Sequence, residues 1–318
     1  MNQQHLCCVY LGKELARYGF GNDHPFGPMR HYVFEQEFYK KSLQEKVDIL
    51  PPQSIDQSVL ELFHTHAYVE QVKQQSILGT GYLDQGDTPA FIGMFEAASS
   101  VVGTVCNAID RLMNNEYNRA FIPIAGLHHA RRNGAAGFCV FNDCGIAIEY
   151  LRHKYNIQRI AYVDIDAHHG DGVFYSFESD PDLIFADLHE DGRFLYPGTG
   201  NVTETGLGSA KGTKLNIPMP PQANDNAFME AWEPVEEFLL QNPVDFFLLQ
   251  CGADSIKGDP ITHMEYSEKA HKHAAKRLCM LANEMCAGKL IAMGGGGYNH
   301  ENIAKSWTSV VESLAQAF

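Results

Sequence analysis

The segment "RIAYVDIDAHHGDG" (159–172) passes without a break from an apolar run into three aspartates and two histidines. Its first half, short and rich in β-favouring residues, reads as a strand buried on both faces. Its second half is made of groups that are costly to bury unless they are paired or hold a metal. Such a join predicts a sheet whose strand tips open onto a site. Comparable apolar runs recur at "AFIPIAG" (120–126), "DLIFAD" (182–187), "KLNIPM" (214–219), "VDFFLLQ" (244–250) and "KLIAMGGGG" (289–297). Helical patterns fall between most of them, over 95–114, 142–155, 226–240, 267–286 and 302–318. Strands alternating with helices predict an α/β fold, a mostly parallel sheet flanked by helices on both faces. Nothing reads as a linker or a repeat, so one domain over 1–318 is expected.

Ligands of such sheets bind beyond the carboxyl ends of the strands. The polar and glycine-rich segments lie there: "LHHARRNGAAGFC" (127–139), "DAHHGDG" (166–172), "CGADS" (251–255) and "GGGGYN" (294–299). Along an extended chain Asp164, Asp166 and His168 alternate and so point to one side. Asp166 and His168 with Asp254, from another strand, offer two carboxylates and one imidazole. That is the donor set of a catalytic zinc or ferrous site with a position left for water; a metal-free Asp/His hydrogen-bond network is the alternative. His128 and His129 are either one core and one surface histidine or a general acid–base pair, with Asp164 and Asp171 free to orient them. Tyr298 behind four glycines suits an oxyanion donor better than a phosphate loop, since neither GxxxxGK[ST] nor a helix-opening GxGxxG is present. Together these segments describe metal-assisted hydrolysis of a carbonyl compound.

Composition narrows the setting. The formal net charge is −15, which opposes direct nucleic-acid binding and mildly favours cationic partners such as lysine-rich tails or polyamines. No window is apolar enough for a membrane span, and the start "MNQQHLCCVYLGKELARYG" has no secretory layout. The eight cysteines form no CxxC pair and are expected to be reduced, with a cytoplasmic location; export to act on another cell's histones stays open. Oligomeric state leaves no signature.

The segments "GLHHARRNGAAGFCVFND" (126–143), "YVDIDAHHGDGV" (162–173), "LYPGTG" (195–200), "QCGADSIKGDP" (250–260) and "GGGGYN" (294–299) occur in the order of the histone deacetylase superfamily, and the chain closely resembles that family. The resemblance extends from "YGFGNDHPFGPMR" (18–30) to "KSWTSVV" (305–311). It implies the single-domain arginase/deacetylase-like fold and a zinc held by Asp166, His168 and Asp254, with ferrous iron as the other candidate. It implies His129 as general base and then acid, backed by Asp171, and His128, backed by Asp164, as its electrostatic partner. Tyr298 would polarise the substrate carbonyl. Gly137, Phe138 and Tyr196 would line a narrow acyl-lysine tunnel, with Asp87 at its rim, Ile261 and Gly296 at the substrate, and Arg30 beneath it where the released acid leaves.

The resemblance further implies structural potassium ions. One would lie at Asp164, Asp166, His168 and the pair Asp187–Leu188; relatives commonly carry serine or another small polar residue at the place of Asp187, so the added carboxylate is expected to strengthen or alter that site. A second would take carbonyls of Phe177, Asp180, Leu183 and Thr213. The related two-metal arginases need a second DxD where this chain has "GADS", so one metal is expected. A non-catalytic acyl-lysine binder would have lost a ligand, a histidine or the tyrosine, and all are present. Between substrates, Ile261 after "KGDP" is apolar, where polyamine-specialised relatives often place a glutamate. Acetylated lysine of a protein or peptide is therefore expected, with acetylated polyamines as the alternative.

Overall fold

The structure is a computed structural model and describes residues 5–21 and 24–318. Residues 1–4 of the segment read for a leader, and Asn22 and Asp23 of the 18–30 motif, lie outside the described residues. Among the described residues eight strands form one sheet: β1 (Cys7–Tyr10), β2 (Asp48–Leu50), β3 (Arg119–Ile122), β4 (Ile160–Asp164), β5 (Leu183–Glu190), β6 (Lys214–Met219), β7 (Phe246–Gln250) and β8 (Leu290–Met293). Their order is β2-β1-β3-β8-β7-β4-β5-β6 and every pairing is parallel, so the α/β expectation holds. All carboxyl ends therefore share one edge.

The strands read from sequence are all present, β6 with the same bounds and the others with shifted ends. β3 stops at Ile122 rather than running to 126. Pro123 has no N–H for the ladder, and Ile124 takes a left-handed φ of 73° that turns the chain away. β4 stops at Asp164, so Asp166 and His168 lie on a bend and not on the extended chain expected. β1 and β2 were not foreseen.

The five helices read from periodicity are present, four of them started by side-chain caps, whereas Met29–Lys40 and His66–Leu78 were not foreseen. Asn142 accepts the Gly145 N–H at 2.8 Å and starts Asp143–Tyr155, and Asn299 starts His300–Leu314. That last helix ends at Leu314, short of Phe318. It packs between Met29–Lys40 and Glu268–Cys286, and its Trp307 meets Phe34 and Phe121 at ring distances of 5.8 and 6.1 Å. Burial of such side chains stabilises the fold by about 1.5–3 kcal/mol each. The cysteines are all free and buried, and among the described residues no helix is long and apolar enough to cross a membrane.

Candidate metal centre and histidine pair

Parallel pairing sets one row of residues across the sheet edge: Ile122, Met293, Gln250, Asp164 and Asp187, each in register with the next. The four tips that sequence singled out belong to β3, β8, β7 and β4, which are consecutive. At strand spacings near 4.8 Å the four cover roughly 15 Å. Residues that follow three of them, β3, β8 and β4, line one cleft with Phe26: His128, His129, Gly137, Cys139, Asp166, His168, Gly295, Gly296 and Tyr298.

Asp166, His168 and Asp254 are buried, and one donor atom of each lies within 4.8 Å of the others. His168 Nδ1 is 3.0 Å from Asp166 Oδ1 and 3.1 Å from Asp254 Oδ2. Among the described residues no lysine or arginine forms an ion pair with either carboxylate, so neither is neutralised in that way. Burial pushes Asp254 above the usual carboxylate range and the Asp166 charge adds to this, whereas the neighbouring histidines hold Asp166 below it against burial. Two carboxylates forced together out of water are relieved by a shared cation. The backbone leaves room for one: a Cβ on Gly296 would stand 2.1 Å from Asp254 Oδ2, and one on Gly252 would stand 2.0 Å from Asp166 Oδ2. The residues present fit a divalent metal.

Other residues hold this set: sequence reasoning missed Gln250 and Ala167, and had placed Gly296 at the substrate. Gln250 Nε2 donates to Asp166 Oδ2 at 2.8 Å, as does the Gly296 N–H at 2.8 Å, and the Ala167 N–H donates to Asp254 Oδ1 at 2.9 Å. Gln250 carried one signal, a polar residue closing an otherwise apolar strand. Gly296 spends its N–H on Asp166 and its carbonyl on the Ala253 N–H, so it lines the cleft through the space it leaves.

His128 Nδ1 donates to Asp164 Oδ2 and His129 Nδ1 to Asp171 Oδ1, both at 2.7 Å. The two Nε2 atoms are 3.1 Å apart, which leaves room for one proton between them. The pair can therefore hold at most one positive charge. Burial pulls His128 down, but the charges of Asp164 and Asp166 outweigh it and raise it to about 9. Burial and the His128 charge push His129 down to about 4. His129 is the neutral member. Tyr162, also unforeseen, donates to Asp164 Oδ2 at 2.6 Å, and Asp143 accepts the Gly126 and Leu127 N–H groups that turn the histidine loop.

Tyr298 is pushed well up by burial, so its phenol stays protonated and able to donate. Asp259 Oδ2 accepts its N–H at 2.8 Å, while Asp259 Oδ1 accepts that of Ile261 at 3.1 Å. Ile261 is 36% exposed on that same loop. Phe138 stacks edge-on to Tyr298 at 5.8 Å, and its carbonyl accepts the Tyr18 hydroxyl at 2.7 Å. Gly137 adopts φ 53°, and a Cβ there would lie 2.4 Å from the His129 ring. Tyr196 stands edge-on to His129 at 5.2 Å and shares a surface groove with Asp84, Asp87 and Arg131. Burial and a hydrogen bond with Asp84 raise Asp87 to about 6. Arg30 is fully buried; its Nε donates to the Gly297 carbonyl at 2.8 Å, Nη2 donates to that of Gly295, and Nη1 has no partner.

At the cation positions the outcome is mixed. The Asp187 carboxylate takes the Gly170 N–H and His189 Nδ1, both at 2.8 Å, so the extra acid arrives with its own histidine. The carbonyls of Asp180 and Leu183 already accept hydrogen bonds from Lys214 Nζ, at 2.8 and 2.7 Å. A potassium ion at those oxygens does not fit this chain, because an ammonium stands there.

A family model described as the histone deacetylase domain matches residues 24–314. Acetoin utilization protein AcuC of Bacillus subtilis (strain 168) is 36% identical over 305 residues, covering 92% of this chain and 78% of the relative. The proteins of that name from Staphylococcus xylosus and Staphylococcus aureus (strain MRSA252) are 32% and 33% identical, each over 98% of this chain and 83% of the relative.

Proposed function

Because the chain belongs to the histone deacetylase family, a family of hydrolases acting on acetylated substrates, we propose that it removes acetyl or other short acyl groups from the ε-amine of lysine in proteins or peptides. The observation that carries this reading is the delivery of a buried Asp-His-Asp triad, two carboxylate-backed histidines and a protonated tyrosine to one cleft by four neighbouring strand tips. The whole chain is read as one catalytic domain.

Asp166, His168 and Asp254 would hold one divalent cation, zinc or ferrous iron, which when bound would supply Lewis acidity and lower the pKa of water to about 7. His129, neutral beside Asp171, takes the proton of the attacking water and returns it to the departing amine. His128, charged beside Asp164, stabilises the negative charge that grows on the substrate. Tyr298 donates to the developing oxyanion. Gly137, Phe138 and Tyr196 form a slot that suits an unbranched alkyl chain, with Asp87 placed for the substrate backbone and Ile261 on the loop that anchors Tyr298. The free Nη1 of Arg30 is a donor for the released carboxylate. Asp164, Asp166, His168, Asp187 and Leu188 would form a cradle for a potassium ion.

Assays with acetyl-lysine peptides beside acetylspermidine and acetylputrescine test the substrate. Peptides are expected to give the higher kcat/KM; a hundredfold preference for the small amines would move the assignment to polyamines.

The histidine roles predict a pH profile. As pH falls towards about 4, His129 gains a proton and loses its function as base; as pH rises through about 9, His128 loses its charge. Activity should be level between these limbs. Asp164→Asn removes a charge that raises His128, so the alkaline limb should move to lower pH. An unmoved limb, measured as kcat/KM, assigns that titration to another group and overturns the division of roles.

A further inference from the structure

Far along the sheet from the histidine pair, Lys214 opens the edge strand β6 with only 2% of its surface exposed. An isolated ammonium is unfavourable inside a protein unless its donors are met. Here all three are met: by the Asp180 carbonyl at 2.8 Å, the Leu183 carbonyl at 2.7 Å and the Thr213 hydroxyl at 2.9 Å. The Thr213 hydroxyl donates to the Ala210 carbonyl at 2.8 Å, which leaves its lone pairs for the ammonium. The Asp180 side chain is taken by Arg152 at 2.5 Å. The loop before β6 lies on the lysine stem, since a Cβ on Gly206 would stand 3.3 Å from Lys214 Cγ.

Backbone oxygens converging on one point make a cation site whether the cation is free or tethered. Two of these oxygens are among the four that the family resemblance gives to a second potassium ion. The other two, the carbonyls of Phe177 and Thr213, accept the N–H groups of Asp180 and Phe185 at 3.0 and 3.1 Å. We propose that Lys214 is a built-in replacement for that ion: its tethered ammonium holds the 177–183 connection against the start of β6, and the protein binds no free monovalent cation there. Burial lowers Lys214 to about 8 while Asp180 opposes the fall, so at neutral pH the amine carries its charge. The device acts on β5, which pairs with β4, the strand that leads into the bend carrying Asp166 and His168. Unlike a bound ion, it does not depend on the salt outside.

Two measurements on the full chain test this. Thermal unfolding is followed in potassium chloride and in choline chloride at equal ionic strength, for the parent, Lys214→Met and Lys214→Ala. Both variants should unfold at lower temperature in choline, and potassium should restore them by more than it shifts the parent, whose cradle at Asp187 is the internal control. Crystals soaked in a thallium(I) salt should show thallium at the Asp180 and Leu183 carbonyls in Lys214→Ala and none there in the parent. Thallium at those oxygens in the parent overturns the proposal, as do variants whose response to potassium equals the parent's. If neither variant folds, the parent crystal decides: ammonium density without thallium upholds the proposal, and thallium sinks it.

Discussion

Asp254→Ala is expected to leave a folded protein that neither retains a stoichiometric divalent metal nor hydrolyses acetyl-lysine. Asp254 contributes one of three donors, and its other oxygen only receives the Ala167 N–H, so no neighbouring group can take its place in the set. Loss of a partner that merely orients a ligand typically costs 10–100-fold in metal affinity or activity, and loss of the ligand itself should exceed this. Removing one buried acid also relieves the repulsion with Asp166 that raises Asp254, so the fold itself should not be weakened by an unpaired charge. Metal analysis beside a peptide assay reads both effects. A variant that keeps parental metal content and rate would remove Asp254 from the centre and with it the single-metal hydrolase.

Tyr298→Phe is expected to cost about 10²–10³ in kcat, near 2.7–4 kcal/mol, the usual effect of deleting one oxyanion donor. Metal content should stay at the parental level, because the tyrosine hydroxyl forms no hydrogen bond to the triad and its backbone N–H, bound to Asp259, is untouched. The ring would keep its place against Phe26 and Phe138. Loss of rate without loss of metal separates this residue from the ligands. Hydrolysis at the parental rate would end the oxyanion assignment.

Much of this site was legible before any fold was known. Asp166, His168 and Asp254 stood out because acidic groups and imidazoles at the tips of apolar strands need a reason to be there. Gln250 escaped because one amide at a strand end has no such cost in a sequence, and its role exists only through Asp166, far from it in the chain. Asp164 was read with Asp166 and His168 as one extended face. The strand ends at Asp164, and the bend after it sends that carboxylate to His128 and Tyr162 while Asp166 meets His168. The second cation position came from the resemblance alone, and nothing in the sequence showed that the Lys214 ammonium would reach two of its four carbonyls.

Sequence by itself determined the α/β class, the parallel sheet and the chemistry at each strand tip, because periodicity and the cost of burying charge are local properties. Tertiary structure alone decided that β3, β8, β7 and β4 are neighbours, that Asp164 and Asp166 raise His128 while burial and His128 lower His129, and that the Lys214 ammonium reaches the Asp180 and Leu183 carbonyls. Strand order arises from pairing between segments distant in the chain, and the charge state of a buried group is set by neighbours which only that pairing brings within a few ångströms.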